Sequence, residues 1–231
     1  MRVVLLITDL LAGGAPLRIA RLGVALARLG IDVHVGCLGG EGPPAERLRA
    51  AGVPVFTCGA RHRADVAALL RLRRHIRGIR PDIVHATLTH ANVAARLACM
   101  GLRPAVLTST ATIEVERRWH AWAERFTGWV DAGHVVNSQA LARHVERAFG
   151  FAPRRVHVVP AAIDLPRAWP TRAESRQRLG IGPEARVIAC SGRLDPVKRV
   201  ERLIEALTHL ADLRPVLLIA GDGVERDYLR E

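Results

Sequence analysis

The sequence predicts an α/β protein: a doubly wound parallel sheet, followed by the start of a second α/β unit. Three observations carry that prediction. Short runs rich in Val, Ile and Leu alternate with stretches of helical spacing, and the connections are short. Apolar residues make up 49% of the chain and aromatic ones only 4%, a mix that suits helices packed on a parallel sheet better than a β-sandwich. A proline-rich stretch over 160–170 interrupts the alternation, which then resumes.

The elements follow in order. Residues 3–8 form a leucine and β-branched run and read as the first strand. A helix over 17–29 ends at Gly30, a good stop. A strand over 31–38, a short helix over 44–51 closed by Gly52, and a strand over 53–57 come next. Asp65 is a natural N-cap for a helix that runs through Ile79 and ends before Pro81. Then come a strand over 82–86, a helix over 90–100, a strand over 105–109, a helix over 114–129 and a strand over 134–137. Ser138 caps a helix to Phe149, and 156–159 is the seventh strand. After the proline-rich linker the reading gives a short helix over 174–179, a strand over 186–191, a helix over 197–210, a strand over 216–220 and a helix over 225–231.

Composition narrows the function classes. Cys37, Cys58, Cys99 and Cys190 are scattered without CxxC or metal-ligand spacing, which suits a reduced, cytoplasmic protein and predicts no metal site. The apolar start lacks the layout of a signal peptide, and no run approaches the roughly 18 apolar residues that would span a bilayer. The formal net charge is +12, which favours acidic partners such as nucleotide phosphates or anionic lipid. Charge alone would also suit nucleic acid, but no helix-turn-helix, zinc or aromatic RNA-binding motif accompanies it, so no nucleic-acid partner is expected. Lys198 is the single lysine among 34 basic residues, which suggests a place where a flexible ammonium is wanted and not a guanidinium.

Two loops carry candidate chemistry. Gly13-Gly14 lies between the first strand and its helix, where paired glycines allow close backbone approach and the helix start offers N–H groups to an anion. This is not GxGxxG, so a dinucleotide site is unsupported, and a plain strand-to-helix turn is the alternative. Gly192-Arg193-Leu194-Asp195-Pro196-Val197-Lys198 leaves the carboxyl end of a strand, where open α/β sheets bind ligands. Two cations there suit a diphosphate and the charge that builds on it as it leaves, with solvated surface cations as the alternative.

Gly192-Arg193-Leu194 with Lys198, followed by Glu201-Arg202-Leu203-Ile204-Glu205-Ala206, resembles the GT4-type retaining glycosyltransferases of the GT-B fold. So do Ala220-Gly221-Asp222-Gly223, Val158-Val159-Pro160-Ala161-Ala162-Ile163-Asp164, Pro81-Asp82-Ile83-Val84-His85-Ala86, His90-Ala91-Asn92 and Gly13-Gly14, in the family's order along the whole chain. The resemblance implies a complete N-terminal, acceptor-side Rossmann-like domain over 1–165. It also implies an incomplete nucleotide-sugar-binding Rossmann-like domain over 166–231, cut off at its C-terminus. It implies a retaining hexosyltransferase that moves sugar from a nucleotide-sugar donor to a glycan or lipid-linked acceptor, in cell-envelope or polysaccharide biosynthesis. Arg193 and Lys198 would hold the donor diphosphate, with Gly192 in the same loop and Gly13 and Gly14 approaching donor or acceptor. No enzyme nucleophile, cofactor or metal is implied, because the leaving phosphate would help to deprotonate the acceptor. A non-catalytic acceptor-binding fragment and a nucleotide-sugar epimerase of the same fold are the alternatives.

The sequence also departs from the family. Members often carry His-x-His after the fourth strand, and here the second position is Thr87. His85 and His90 remain as alternatives near the transferred sugar. His85 reads as a hydrogen-bonded core histidine, and His90, opening a helix at a strand's carboxyl end, reads as the catalytic candidate. The junction Pro160-Ala161-Ala162-Ile163-Asp164 lacks the family's glycine, and the family's Glu-x7-Glu segment would lie beyond residue 231. Finally, Arg117-Arg118-Trp119-His120-Ala121-Trp122-Ala123-Glu124-Arg125-Phe126-Thr127-Gly128-Trp129 holds three of the four tryptophans. It reads either as core packing or as an interfacial helix in peripheral contact with an anionic membrane, aided by the basic run Arg71–Arg77.

Overall fold

The computed structural model describes residues 1–62, 64–112, 118–163, 165 and 168–230, in two compact units, Met1–Ile163 and Asp164–Glu231. The first unit alternates β1 (Arg2–Ile7), α1 (Gly14–Arg28), β2 (Asp32–Cys37), α2 (Pro43–Ala50), β3 (Val55–Thr57), α3 (Val66–Ile79), β4 (Ile83–Thr87), α4 (Thr89–Cys99), β5 (Ala105–Thr110), α5 (Arg118–Thr127), β6 (Gly133–Val136), α6 (Gln139–Phe149) and β7 (Val156–Val158). The described residues form a seven-stranded sheet in the order β3-β2-β1-β4-β5-β6-β7, and every pairing is parallel. Register places Val4 opposite both His34 and Val84, so β1 is central and buried on both faces.

Local signals set the helix ends as expected. The Asp65 carboxylate accepts from the Ala68 N–H at 3.0 Å, and the Ser138 hydroxyl accepts from the Leu141 N–H at 3.3 Å. Gly30, at φ 77°, turns the chain out of α1. The period-2 alternation of β1 sends Val4 and Leu6 to one face, under Leu72 and Ile76 of α3 and Ala91 and Ala95 of α4. Val3, Leu5 and Ile7 go to the other face, under Ile19 of α1 and Leu48 of α2. Burial of each such valine, leucine or isoleucine side chain contributes about 1.5–3 kcal/mol.

A buried polar network joins the far half of this unit. Arg96 on α4 has no exposed side-chain surface and meets Asp131 through Nε at 2.7 Å and Nη2 at 2.6 Å, with Glu124 of α5 at 2.7 Å from Nη1. Asn92 donates to Glu124 at 2.8 Å. Thr108 donates its one hydroxyl proton to Asp131, so His134 Nδ1 must donate to Thr108, at 2.7 Å. His134 Nε2 then accepts from Thr110 at 3.0 Å, which suits a neutral ring. Burial, then Arg96 and His85, hold that imidazole down at about 3. Burial also raises the Glu124 carboxyl, against the opposing pull of Arg96.

This network fixes which face of α5 is inward. His120 and Glu124 are buried, whereas Trp122, Phe126 and Trp129 are 57%, 65% and 69% exposed. The tryptophan stripe is therefore not core packing. The helix expected over 114–129 is α5 followed by a 3-10 turn, Gly128–Val130, and residues 114–117 lie outside the described residues.

The second unit holds α7 (Arg172–Arg178), β8 (Val187–Ser191), α8 (Val200–Leu207) and β9 (Val216–Ala220). Thr171 and Glu174 form a capping box at the start of α7. β8 and β9 pair in parallel, with Ser191 opposite Ala220. Two expectations fail here. The helix over 197–210 is broken: Pro196–Lys198 is a 3-10 turn, Arg199 takes a left-handed conformation at φ 53°, and Thr208–Leu213 is again 3-10. The helix over 225–231 is a run of turns ending in a 3-10 piece, Tyr228–Arg230, with Glu231 outside the described residues. Among the described residues of 160–170 there is neither helix nor strand, and Asp164 lies outside them.

Candidate functional site

In the first unit the strand order reverses between β1 and β4, and the carboxyl ends of these neighbours define the switch point at which such sheets bind ligands. Gly13 and Gly14 follow β1, and His90 follows β4, so the fold brings all three to one edge of the sheet. Neither glycine is demanded by the turn. Gly13 is extended at φ 170°, and a Cβ on Gly14 would meet nothing within 4 Å. What they leave is open room beside the start of α1, whose first turn carries no acidic side chain.

The β4–α4 elbow is strained. Leu88 sits at φ 76° and ψ 144°, a region other residues leave to glycine, and such strain costs about 1–3 kcal/mol. Nothing about a leucine in the sequence signals this. Thr87, at the position of the family's second histidine, is buried and bonds Ser109 Oγ at 2.8 Å, tying β4 to β5. Beyond the elbow the His90 ring packs edge-on against Trp119 and His120, with centroids 5.2 Å apart in each case.

A cavity of about 680 Å³ opens beside this cluster. Thr8 and Asp9 after β1, Arg61, His62 and Asp65 before α3, and Leu88, Thr89 and His90 at the elbow line it, with Leu69, Val93, Leu97, Trp119 and His120 from the helices. Gly13 and Gly14 do not line it. Trp119 and His120 are site residues that sequence reasoning passed over, although both stand in the tryptophan segment.

His85 differs from its expected role. Its Nε2 is buried without a hydrogen-bond partner among the described residues, and burial, then Arg18, hold the imidazole down at about 4. It is a neutral ring within the sheet and not a hydrogen-bonded core histidine.

In the second unit Gly192 follows β8 directly. The loops after β8 and β9 run side by side, with the Gly192 N–H donating to the Ala220 carbonyl at 3.1 Å and the Leu194 N–H to the Asp222 carbonyl at 2.9 Å. A Cβ on Gly221 would collide with the Gly192 carbonyl, and one on Gly223 with the Leu194 backbone. The glycines of Ala220-Gly221-Asp222-Gly223 are thus set by backbone contact with the Gly192–Leu194 loop. Leu194 and Val200 are buried, which turns Arg193 outward, 68% exposed and 3.0 Å from Asp195. Lys198 is exposed at the end of the 3-10 turn, its N–H bonded to the Asp195 carbonyl at 2.8 Å.

Among the described residues no group of His, Cys, Asp and Glu side chains is arranged to hold a metal. Burial pushes the Cys58 and Cys99 thiols up to about 12, so neither supplies a thiolate. No helix of the described residues is long and apolar enough to cross a membrane.

A doubly wound sheet with open loops at its switch point, and a loop after β8 that leaves Arg193 and Lys198 exposed, define an α/β protein with its candidate loops at the carboxyl ends of parallel strands. Comparison with known proteins gives its family. Residues 12–167 match the profile of Glycosyltransferase Family 4, and residues 171–231 match that of Glycosyl transferases group 1. The chain belongs to Glycosyltransferase Family 4, and its fold is of the GT-B type. It is similar to the D-inositol 3-phosphate glycosyltransferase of Geodermatophilus obscurus, 32% identical over 149 residues that make up 64% of this chain and 29% of that protein. It is also similar to a GDP-mannose-dependent monoacylated α-(1-6)-phosphatidylinositol monomannoside mannosyltransferase of Corynebacterium glutamicum, 36% identical over 99 residues, 40% of this chain and 26% of that one. Among solved structures, Anabaena HepE in complex with UDP and glucose superposes with a TM-score of 0.81 at 19% identity, covering 100% of this chain and 64% of that one. The chain therefore spans under two thirds of the length of these proteins.

Proposed function

We propose that the chain is part of a retaining hexosyltransferase that moves sugar from a nucleotide-sugar to a glycan or lipid-linked acceptor in cell-envelope or polysaccharide assembly. The observation that carries this reading is the loop after β8, which turns Arg193 and Lys198 outward on a backbone held by the neighbouring Ala220–Gly223 segment. Membership of the glycosyltransferase family, and similarity to a relative named as GDP-mannose-dependent, support it.

The chemistry asks little of covalent catalysis. As the bond from sugar to diphosphate breaks, charge builds on the leaving phosphate, and the Arg193 guanidinium and Lys198 ammonium would stabilise it. The leaving phosphate would take the acceptor's proton on the same face, so configuration is kept and neither metal nor cofactor is required. Gly192 leaves the diphosphate room, Gly13 and Gly14 offer open backbone beside the start of α1, and His90 is the candidate beside the transferred sugar. The exposed aromatic face of α5, on a chain of net charge +12, suits peripheral contact with an anionic membrane from the cytoplasmic side.

The test is a transfer assay with UDP-, GDP- and ADP-hexoses, the product's anomeric configuration being read by NMR with and without EDTA. Retention that is unaffected by EDTA is expected. Inversion of configuration, or loss of turnover on chelation, would contradict the mechanism.

A further inference from the structure

Resting on the transfer reading, we propose that the acceptor is an amphiphile and that the cavity of the first unit receives its apolar body. The cavity, of about 680 Å³, is sized for a small molecule, in a range of roughly 300–1,000 Å³. Its helical walls are Leu69, Val93, Leu97 and Trp119. An unmodified sugar placed against Leu69, Val93 and Leu97 would lose water and gain no hydrogen bonds there, whereas an alkyl or aryl group loses nothing by leaving water.

Two further observations point the same way. Polar groups line the cavity beside these walls: Thr8 and Asp9 after β1, Arg61, His62 and Asp65 before α3, and Thr89 and His90 at the strained elbow after Leu88. An amphiphile bound there would have its apolar body along the helices and its hydroxylated end at the switch point. The wall is also continuous with the outside. Leu97 and Trp119 line the cavity and are themselves exposed, and Trp122, one helical turn on from Trp119, stacks on Phe126 at 5.4 Å. An apolar path thus leads from the protein surface into the cavity. A lipid drawn from a bilayer and a soluble alkyl glycoside share this chemistry.

Calorimetric titration of the full chain with alkyl β-glucosides of increasing chain length, below their micelle concentrations, tests the proposal, with glucose as the control. Affinity should rise on the order of fourfold per methylene until the cavity is full, and glucose should not bind measurably. Val93→Phe, which narrows the cavity beside α4, and Leu97→Asp, at a half-exposed position, should each weaken octyl glucoside on the order of tenfold. Both should leave nucleotide binding unchanged. Trp122→Ala separates the sources. A loss confined to glucoside supplied from phosphatidylglycerol vesicles upholds the proposal with a bilayer source, and no loss upholds it with a soluble one. Affinity independent of chain length, or a chain-length dependence that both cavity variants leave intact, overturns it. Chain-length-dependent binding in a protein that binds no nucleotide would instead sink the transfer reading, leaving an amphiphile site without a donor.

Discussion

At Lys198 the proposed chemistry uses a compact, mobile charge, and this is the position at which an otherwise all-arginine chain keeps a lysine. Lys198→Arg preserves charge but replaces a point donor with a planar fork, and we expect it to weaken diphosphate binding on the order of tenfold in calorimetry. The buried histidines give a separate prediction. His85, held at about 4, and His134, held at about 3, are neutral in the fold, whereas an unfolded imidazole titrates near 6.5. The unfolded chain therefore binds more protons below about pH 6.5, so stability is full above that pH and falls as pH drops toward 4. Urea midpoints measured from pH 7 to pH 4.5 should show the fall, and His85→Leu should flatten it; a slope unchanged by that substitution would remove His85 as its source. At this scale the sequence was legible where the signal is local. Asp65 and Ser138 cap as their positions suggest, because the groups they bond lie three residues away. The strain at Leu88 and the orphaned Nε2 of His85 were not legible, because each depends on strands brought together from distant parts of the chain.

Among the elements, α5 depends on Arg96. Nothing in the sequence separates this arginine from the others, since its partners Glu124 and Asp131 lie 28 and 35 residues away. The same distance explains why the tryptophan face was ambiguous. Helical spacing shows that a stripe exists, and only the network pulling Glu124 inward decides that Trp122 and Phe126 face out. Arg96→Met would leave two buried carboxylates without their cation, and a loss of about 3–5 kcal/mol is expected in denaturant unfolding. A loss below about 1 kcal/mol would mean that α5 is anchored by packing alone. In the second unit, Gly221→Ala should push the two loops apart. Hydrogen exchange should speed at the Gly192 and Leu194 amides, with the first unit's protection unchanged. The break in the helix expected over 197–210 belongs here too: the apolar spacing continues through it, but Arg199 turns left-handed at φ 53° and sets Lys198 outside α8.

For the whole molecule, the parallel alternation was legible because the central strand runs, β1 above all, are apolar throughout and buried on both faces. The fate of charge and apolar surface is a property of the entire chain. With net charge +12 and an exposed aromatic face on α5, flotation with phosphatidylglycerol vesicles is expected. It should weaken with salt and fall in the Trp122→Ala, Phe126→Ala double variant. Equal flotation of wild type and variant would remove α5 from any membrane contact. The most direct test of the central claim is calorimetric binding of UDP, GDP and ADP to wild type, Arg193→Ala and Lys198→Ala. The account predicts that at least one nucleotide binds the wild type through its diphosphate and that either substitution abolishes the binding. Binding that survives both substitutions, or no binding by the wild type, would contradict the assignment of this loop to a nucleotide-sugar donor.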